Sequence, residues 1–120
     1  MFPITHIKGT NLDVTDELRA LVAQKFETLT KHIGDETDVS CDIELEKITG
    51  SHNGDIFRAE ANVHFHGKMY RAEKTTDQIE KSIDEVRNEM DRELRRANNK
   101  VRTAIKKGGA RLKDMLRFGK

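Results

Sequence analysis

The spacing of apolar residues along the chain predicts its first two elements. Residues 4–8 have the composition of a short strand, ended by glycine and turn-forming residues. Thr15 then provides a helix N-cap, and apolar residues recur at steps of three and four as far as Ile33. Gly34 is a suitable helix C-terminus. The pattern therefore predicts one strand followed by one helix that ends near residue 33.

From Val39 onward the apolar period becomes two, which is typical of strands with one buried face. Alternation over 39–46 predicts a second strand. A loop over 50–54 with two glycines separates it from a third strand over 57–66. A tight turn and a short strand over 69–74 follow, so three consecutive strands are joined by hairpin connections.

The last predicted element is an unusually long helix that begins after an N-cap at Thr75 or Thr76. Its apolar residues form one uninterrupted stripe, which consists of Ile79, Ile83, Val86, Met90, Leu94, Ala97, Val101 and Ile105. About 30 residues at 1.5 Å each make a rod of roughly 45 Å. Because this length exceeds the width of a four-stranded sheet, we expect its C-terminal part to project beyond the core. Gly108 and Gly109 end it.

The element order β-α-β-β-β-α predicts an α+β fold with a four-stranded mixed sheet and two helices packed on one face. The first connection is long enough to be a crossover, which makes the first two strands parallel. A chain of 120 residues with 35% hydrophobic composition has one modest core and no large buried pocket. We assign residues 1–107 to this domain and residues 108–120 to a basic C-terminal tail.

Charge is distributed unevenly, although the formal net charge is only +1. Residues 87–120 hold 12 Lys and Arg against 4 Asp and Glu, whereas residues 1–86 hold 10 against 17. The C-terminal quarter is therefore expected to bind polyanions, and the rest of the chain is not.

Basic side chains of the long helix lie on the side away from its apolar stripe. At 100° per residue the opposite face carries Lys81, Arg92, Arg95, Arg96, Arg102 and Lys106. Lys100 and Lys107 lie toward one flank, and Arg87 lies near the other edge of the stripe. Guanidinium groups suit phosphate oxygens because each presents a planar fork of donors. We interpret the row as a site for RNA or another polyanion, and the alternative is a solvated charged face. Neutralisation of these arginines by the protein's own carboxylates would contradict our interpretation.

The exposed face of the sheet predicts how binding occurs. It presents Asp42, Glu44, Glu46 and Glu60, where an RNA-binding sheet would expose stacking aromatic residues. Such a face is expected to repel phosphate. Contact with RNA is therefore assigned to helices and edges, which suits recognition of backbone and shape.

Other chemistry has little support in the sequence. Cys41 lies on a predicted buried face, so it is interpreted as a core thiol rather than a nucleophile. His64 and His66 are too few for a zinc site without a third ligand. We predict no enzymatic activity, metal, cofactor or small-molecule substrate. The single cysteine, the lack of signal-peptide features and the absence of a membrane-spanning run favour the cytoplasm.

Five segments resemble the ribosome hibernation-promoting factor and ribosome-associated inhibitor family. They are KGTNLDVTDELR at 8–19, AQKF at 23–26, LEKI at 45–48, SIDEV at 82–86 and MDRELRR at 90–96. The resemblance spans residues 4 to about 100. It implies a β-α-β-β-β-α protein that binds the small ribosomal subunit between head and platform, overlaps the messenger and transfer-RNA sites, and blocks translation in starved cells.

The resemblance also implies particular contact residues. The family's basic positions match Lys25 and Lys31 on the first helix and Arg92, Arg95 and Arg96 on the second, whereas Lys100 and Arg102 are added on geometry alone. Thr28, Glu89 and Asn98 stand where members commonly carry a basic residue. The chain resembles a short form without the dimer-forming second domain, so we expect a monomer away from the ribosome. Its effect on ribosome dimerisation stays open.

Two other functions are compatible with the same features. A general binder of structured RNA or double-stranded nucleic acid would use the same helix. The other is a protein-interaction module that modulates transcription, a role sometimes attached to the family's name. Such a module would remain bound to a polymerase component after nuclease treatment.

Overall fold

The residues that the structure describes form four strands, three α-helices and one 3₁₀ turn. The structure is a computed structural model, which describes residues 1–50 and 54–107, with side chains as far as residue 101. The elements are β1 (Ile4–Thr10), α1 (Asp16–Phe26), a 3₁₀ turn (Glu27–Leu29), α2 (Thr30–Ile33), β2 (Ser40–Lys47), β3 (Phe57–Phe65), β4 (Lys68–Thr76) and α3 (Ile79–Lys107). The tail at 108–120 lies outside the described residues.

The sheet has the order β1-β2-β3-β4, with β1 parallel to β2 and the other pairs antiparallel. Its register aligns small and branched apolar residues across the strands, so that Ile7 pairs with Ile43, Ile43 with Ala61, and Ala61 with Ala72. These side chains point toward the helices and form one face of the core. The predicted α+β fold with a four-stranded mixed sheet and helices on one face is confirmed.

Strand β1 is longer than predicted because it continues through Gly9, which pairs with Leu45. A Cβ atom at Gly9 would lie 2.2 Å from the carbonyl oxygen of Leu12, so only glycine allows the chain to turn this closely. Gly9 therefore shapes the turn after β1 without ending the strand.

The first helical segment, which comprises α1, the 3₁₀ turn and α2, begins and ends where the sequence predicts. The Thr15 hydroxyl accepts a hydrogen bond from the Leu18 backbone N–H at 3.1 Å, and Gly34 ends the segment at a φ of +53°. Between them the helix tightens into the 3₁₀ turn, where the Thr28 hydroxyl donates to the Lys25 carbonyl at 2.9 Å. The sequence therefore predicts one continuous helix, whereas in the structure the 3₁₀ turn separates α1 from α2.

Helix α3 begins at Ile79, three residues after the later of its two predicted caps, because Thr75 and Thr76 both belong to β4. The Thr76 hydroxyl accepts from the Gln78 N–H at 3.2 Å and lies 2.7 Å from the hydroxyl of Ser82. Ser82 is fully buried and donates to the Phe57 carbonyl at 2.6 Å. A buried hydroxyl thus fixes the start of α3 against β3.

The apolar stripe of α3 is buried only over part of its length. Ile83, Val86, Met90, Leu94 and Ala97 are buried against the sheet and the first helix. The next stripe position, Val101, is only partly buried. Among the side chains described, the buried part of the stripe therefore ends at Ala97, and the helix backbone continues to Lys107. Among the described residues, no helix combines the length and apolar character needed to cross a membrane.

The exposed sheet face is less acidic than the sequence predicts, because a guanidinium group occupies its centre. Arg58 is 16% exposed, and its nitrogens lie 3.1 Å from Glu46, 2.5 Å from Glu60 and 2.8 Å from Glu73. Arg71 contacts Glu60 and Glu73 from the outer strand. The carboxylates are therefore largely compensated within the face.

Replacing Arg58 with glutamine should destabilise the fold by about 2–3 kcal/mol at pH 7, because it leaves clustered carboxylates unpaired. Burial opposes ionisation of Glu60, but hydrogen bonds from Arg71 and Arg58 lower its pKa overall. The hydrogen bond from Thr10 and the contact with Arg58 lower the pKa of Glu44. Stability from lowered carboxyl pKa values is present above about pH 4.3 and is lost as the pH falls through the lowered values.

The destabilisation by Arg58→Gln should therefore shrink toward pH 3, as measured by urea unfolding of both proteins at the two pH values. Arg71→Gln is the matched control. Because the Arg71 side chain is 58% exposed, its loss should cost less than about 1 kcal/mol. An equal loss of stability at pH 7 and pH 3 for Arg58→Gln would contradict the ion-pair explanation.

Candidate nucleic-acid interface

The side of α3 that faces away from the core carries a row of basic residues. Arg92, Arg95, Arg96 and Lys100 are all exposed, while Leu94 between them is fully buried. The arrangement follows from helical geometry, because burying the apolar stripe turns the opposite residues outward. The predicted row of cations is therefore present over 92–100.

Neutralisation by the protein's own carboxylates is partial. Arg95 lies 2.5 Å from Asp91, and Arg96 lies 3.1 Å from Glu93. The two arginine side chains are nevertheless 57% and 66% exposed, and exposed ion pairs of this kind contribute only about 0–1 kcal/mol. Arg92 and Lys100 make no ion pair or hydrogen bond to other described residues. An exposed cationic surface therefore persists along the helix.

Lys31 adds a cation from the neighbouring helix α2. Its side chain is 64% exposed, and its Nζ lies 3.7 Å from Asp91, the carboxylate that also contacts Arg95. The surface is thus wider than one helix. We call it the basic ridge, and it consists of Lys31, Arg92, Arg95, Arg96 and Lys100.

Other predicted site residues have different surroundings. Lys25 is 24% exposed, and its Nζ lies 2.6 Å from Asp84. Arg87 is 25% exposed and donates to the Thr28 hydroxyl at 3.2 Å. Lys81 is exposed near the start of α3, and its Nζ lies 3.8 Å from Oδ1 of Asp77, four residues earlier in the chain. The first two residues therefore join the helices, and the third lies three turns from the ridge.

The last three predicted site residues fall on the final turns of α3. Arg102, Lys106 and Lys107 belong to the helix backbone, but their side chains lie outside the described residues. Their contact with RNA stays a prediction.

A row of polar contacts between the first helical segment and α3 was missed by the sequence reasoning. We call it the polar seam, and it consists of Lys25, Thr28 and His32 on one side and Asp84, Arg87, Asp91 and Asn98 on the other. The signal that could have revealed it is the seven-residue spacing of Asp84 and Asp91, which places both carboxylates on one flank of α3.

Asp91 is the centre of the polar seam. Its Oδ1 lies 2.6 Å from His32 Nε2, and the side chains are only 19% and 9% exposed. Burial by itself would raise the pKa of Asp91, but the His32 hydrogen bond and the charges of His32, Lys31 and Arg95 lower it overall. The carboxylate therefore stays ionised in the folded protein at neutral pH.

Asn98 stands at a position where the family resemblance implies a basic residue. Its side-chain amide donates to the His32 carbonyl at 2.9 Å, and its Oδ1 lies 3.3 Å from His66 Nε2. Thr28, another such position, accepts from Arg87. These two departures from the family pattern therefore contribute helix packing instead of positive charge.

The described residues offer no metal site, since no group of three or more suitable ligands converges there. His64 lies 4.0 Å from Asp38, and His66 lies 3.9 Å from Glu36, so each has a single carboxylate neighbour. A groove of about 380 Å³ lies between the start of β1 and α1, but no residue of α3 lines it. His6 and Arg19 are its titratable lining residues.

Cys41 should be unreactive in the folded protein. It is fully buried, and burial together with the adjacent Asp42 raises the pKa of its thiol to about 12. An aromatic disulfide reagent at pH 8 should therefore detect almost no thiol in the native protein and one thiol per chain after unfolding in guanidinium chloride. Rapid reaction of the native protein would contradict the assignment as a core thiol.

Comparison with protein families gives a match over most of the chain. Residues 5–102 match the family model described as Sigma 54 modulation protein / S30EA ribosomal protein. A ribosome hibernation promotion factor from Lactococcus lactis subsp. cremoris is 33% identical over 109 residues, which cover 86% of this chain and 56% of the relative. One from Picosynechococcus is 30% identical over 94 residues, 78% of this chain and 48% of the relative. The chain thus spans about half the length of these relatives.

Two solved structures share the fold. The N-terminal domain of Protein Y from Thermus thermophilus superposes with a TM-score of 0.68 at 22% identity, covering 79% of this chain and 98% of that one. A ribosomal subunit interface protein from Coxiella burnetii superposes with a TM-score of 0.61 at 21% identity, covering 79% and 99%. At these identities the likeness shows the β-α-β-β-β-α arrangement.

Proposed function

Because the chain belongs to the Sigma 54 modulation protein / S30EA ribosomal protein family, we propose that it is a ribosome hibernation factor. In this proposal the protein binds the ribosomal RNA of the small subunit and inhibits translation in idle or starved cells. The sequence motifs predicted the family, and the match over residues 5–102 confirms it. The names of the two relatives, ribosome hibernation promotion factor, support the physiological role.

The single observation that carries the proposal is the basic ridge. Arg92 and Lys100 have no partner among the described residues, and Arg95 and Arg96 keep more than half of their side chains exposed. Guanidinium and ammonium groups presented in this way match phosphate oxygens. A rigid helix also fixes their spacing, which favours a folded RNA over a flexible strand.

The sheet supports contact through the helices. Its exposed face presents carboxylates compensated by Arg58 and Arg71, and the outward side chains of β2 and β3 include no Phe, Tyr or Trp for base stacking. We therefore propose that α2 and α3 face the RNA and that the sheet faces away from it. The location at the decoding region, overlapping the messenger and transfer-RNA sites, is carried over from the family resemblance.

A binding role also accounts for the chemistry of the described residues better than catalysis does. The Cys41 thiol is buried with a raised pKa, and each described histidine outside the polar seam has a single carboxylate neighbour: Asp42 for His6, Asp38 for His64 and Glu36 for His66. Among residues 1–50 and 54–101, the free cysteine is buried and no group of three or more metal ligands converges. We propose no reaction, cofactor or small-molecule substrate.

Sedimentation of the purified protein with small ribosomal subunits tests the proposal. We expect co-sedimentation at low salt and a steep loss of binding as salt rises. If the five ridge cations each contact one phosphate, the logarithm of the binding constant should fall with a slope of roughly −4 against the logarithm of salt concentration. Absence of the protein from the pellet at low salt would reject the proposal.

A general binder of structured RNA is the second candidate, since the ridge is built to contact phosphate rather than base edges. Competition distinguishes the two candidates. A hibernation factor bound at the small subunit should be displaced poorly by duplex RNA added at equal nucleotide concentration, whereas a general binder should be displaced as well by duplex RNA as by free subunits.

A further inference from the structure

We propose that Asp91 is a positioning residue for the basic ridge. Its carboxylate joins Lys31 and Arg95, which lie on two different helices, and thereby holds them in one arrangement before RNA binds. The inference rests on the proposed RNA-binding function and adds a residue of the opposite charge to the site.

The position of the Asp91 carboxylate is fixed by its surroundings. Its Oδ1 lies 2.6 Å from His32 Nε2 and 3.7 Å from Lys31 Nζ, while its Oδ2 lies 2.5 Å from Arg95 Nη2. The His32 side chain is 9% exposed, and its backbone carbonyl accepts from Asn98 at 2.9 Å. Because histidine is anchored at both its ring and its carbonyl, the carboxylate it contacts has little freedom to rotate.

The contact leaves the two cations available to a ligand. A guanidinium group has five N–H donors, and the recorded contact of Arg95 uses only its Nη2. The side chains of Arg95 and Lys31 remain 57% and 64% exposed, whereas Asp91 itself is 19% exposed. An approaching phosphate therefore meets the cations on the surface while the carboxylate lies beneath them.

Preorganisation explains why a carboxylate can favour binding to an anion. Long basic side chains lose conformational freedom when RNA immobilises them, and this ordering weakens binding unless it has occurred beforehand. Asp91 orders both side chains in the free protein. Its own negative charge is offset by the two cations.

The direction of the effect separates positioning from simple charge. Asp91→Asn removes one negative charge, so electrostatics alone predicts tighter binding to RNA. Positioning predicts weaker binding, because Lys31 and Arg95 lose their shared acceptor. We expect Asp91→Asn to weaken binding to purified small subunits by about tenfold, the order of effect expected for freeing two side chains.

Glu93→Gln is the matched control on the same helix. Glu93 also pairs with an arginine, since it lies 3.1 Å from Arg96, but no ion pair recorded for it among the described residues reaches the first helix. Its loss should leave binding to small subunits unchanged or tighter. Heparin provides a second control, because a flexible polyanion adapts to unordered cations; both variants should elute from it at equal or higher salt than the natural protein.

A double-mutant cycle tests whether Asp91 acts through Arg95. Arg95→Gln should weaken binding clearly in the natural background and only slightly in the Asp91→Asn background. Circular dichroism and thermal unfolding establish that each variant is folded at the assay temperature. If Asp91→Asn does not fold, a cycle between Lys31→Gln and Arg95→Gln serves instead: cations held by one carboxylate should give non-additive losses, and additive losses would overturn the inference.

The outcomes distinguish this inference from the proposed function. If the natural protein binds small subunits and folded Asp91→Asn binds equally or more tightly, Asp91 has no positioning role. The proposal that the basic ridge binds RNA is then unaffected. If the natural protein fails to bind at low salt, the proposed function itself is rejected.

Discussion

Replacing Arg92, Arg95 and Arg96 together with glutamate should abolish sedimentation with small ribosomal subunits and leave the chain folded. Each substitution removes a charge-assisted contact to phosphate and introduces repulsion, so the combined loss should exceed about 1,000-fold in affinity at low salt. All three side chains are exposed, so the core is unaffected. Losing two ion pairs and placing glutamates near Asp91 should cost only about 1 kcal/mol of stability.

Total charge has to be separated from the location of charge in this experiment. The control replaces with glutamate Lys8, Lys47 and Lys68, which are exposed residues in strands or at their ends. It changes the net charge from +1 to −5, as the triple arginine variant does. This control should keep most of its binding. Equal loss in both variants would show that net charge, and not the basic ridge, determines binding. Circular dichroism of both variants checks that they are folded.

Replacing Leu94 with alanine should give the largest loss of stability among the helix substitutions considered, about 3 kcal/mol. Leu94 is fully buried at 0% exposure and packs in the same cluster as Phe65 and Met90. Removing its side chain leaves a cavity that the surrounding strands and helices fill only partly. Urea unfolding at neutral pH measures the change as a lower midpoint with an unchanged slope.

Val101→Ala is the matched control, because Val101 belongs to the same apolar stripe one turn beyond Ala97 and is only partly buried. Its loss should cost less than about 1 kcal/mol. The pair of variants thus locates the end of the core along α3. A similar cost for both substitutions would show that the core extends past Ala97 and that the helix does not leave it there.

Much of the fold follows from local patterns in the sequence. The change of apolar period from helical to two at Val39, and the N-cap at Thr15, predict elements whose observed limits differ by a few residues at most. Side-chain direction in a helix or strand depends on the repeat of that element alone, so it can be read from a single segment. The exposed position of Arg92, Arg95 and Arg96 was predictable for the same reason.

Local sequence patterns are therefore enough to predict the order of elements, the buried and exposed faces, the family and the row of basic residues on α3. Which cations remain available depends on how the elements pack together. The helical pattern places Arg87 near the edge of the apolar stripe and Arg92 on the opposite face, but it does not reveal that Arg87 bonds to Thr28 while Arg92 has no partner among the described residues. Asp91 and His32 are 59 residues apart and meet only because α2 packs on α3.

The physical reason is that a side chain's direction is a local property, whereas its partner is not. The helical repeat places a charge on a face, but the charge that opposes it comes from whichever element packs there. The same limit applies to Arg58, whose contacts with Glu46, Glu60 and Glu73 require three strands in one register. Burial then sets how strongly each pair interacts, and burial exists only once the chain has folded.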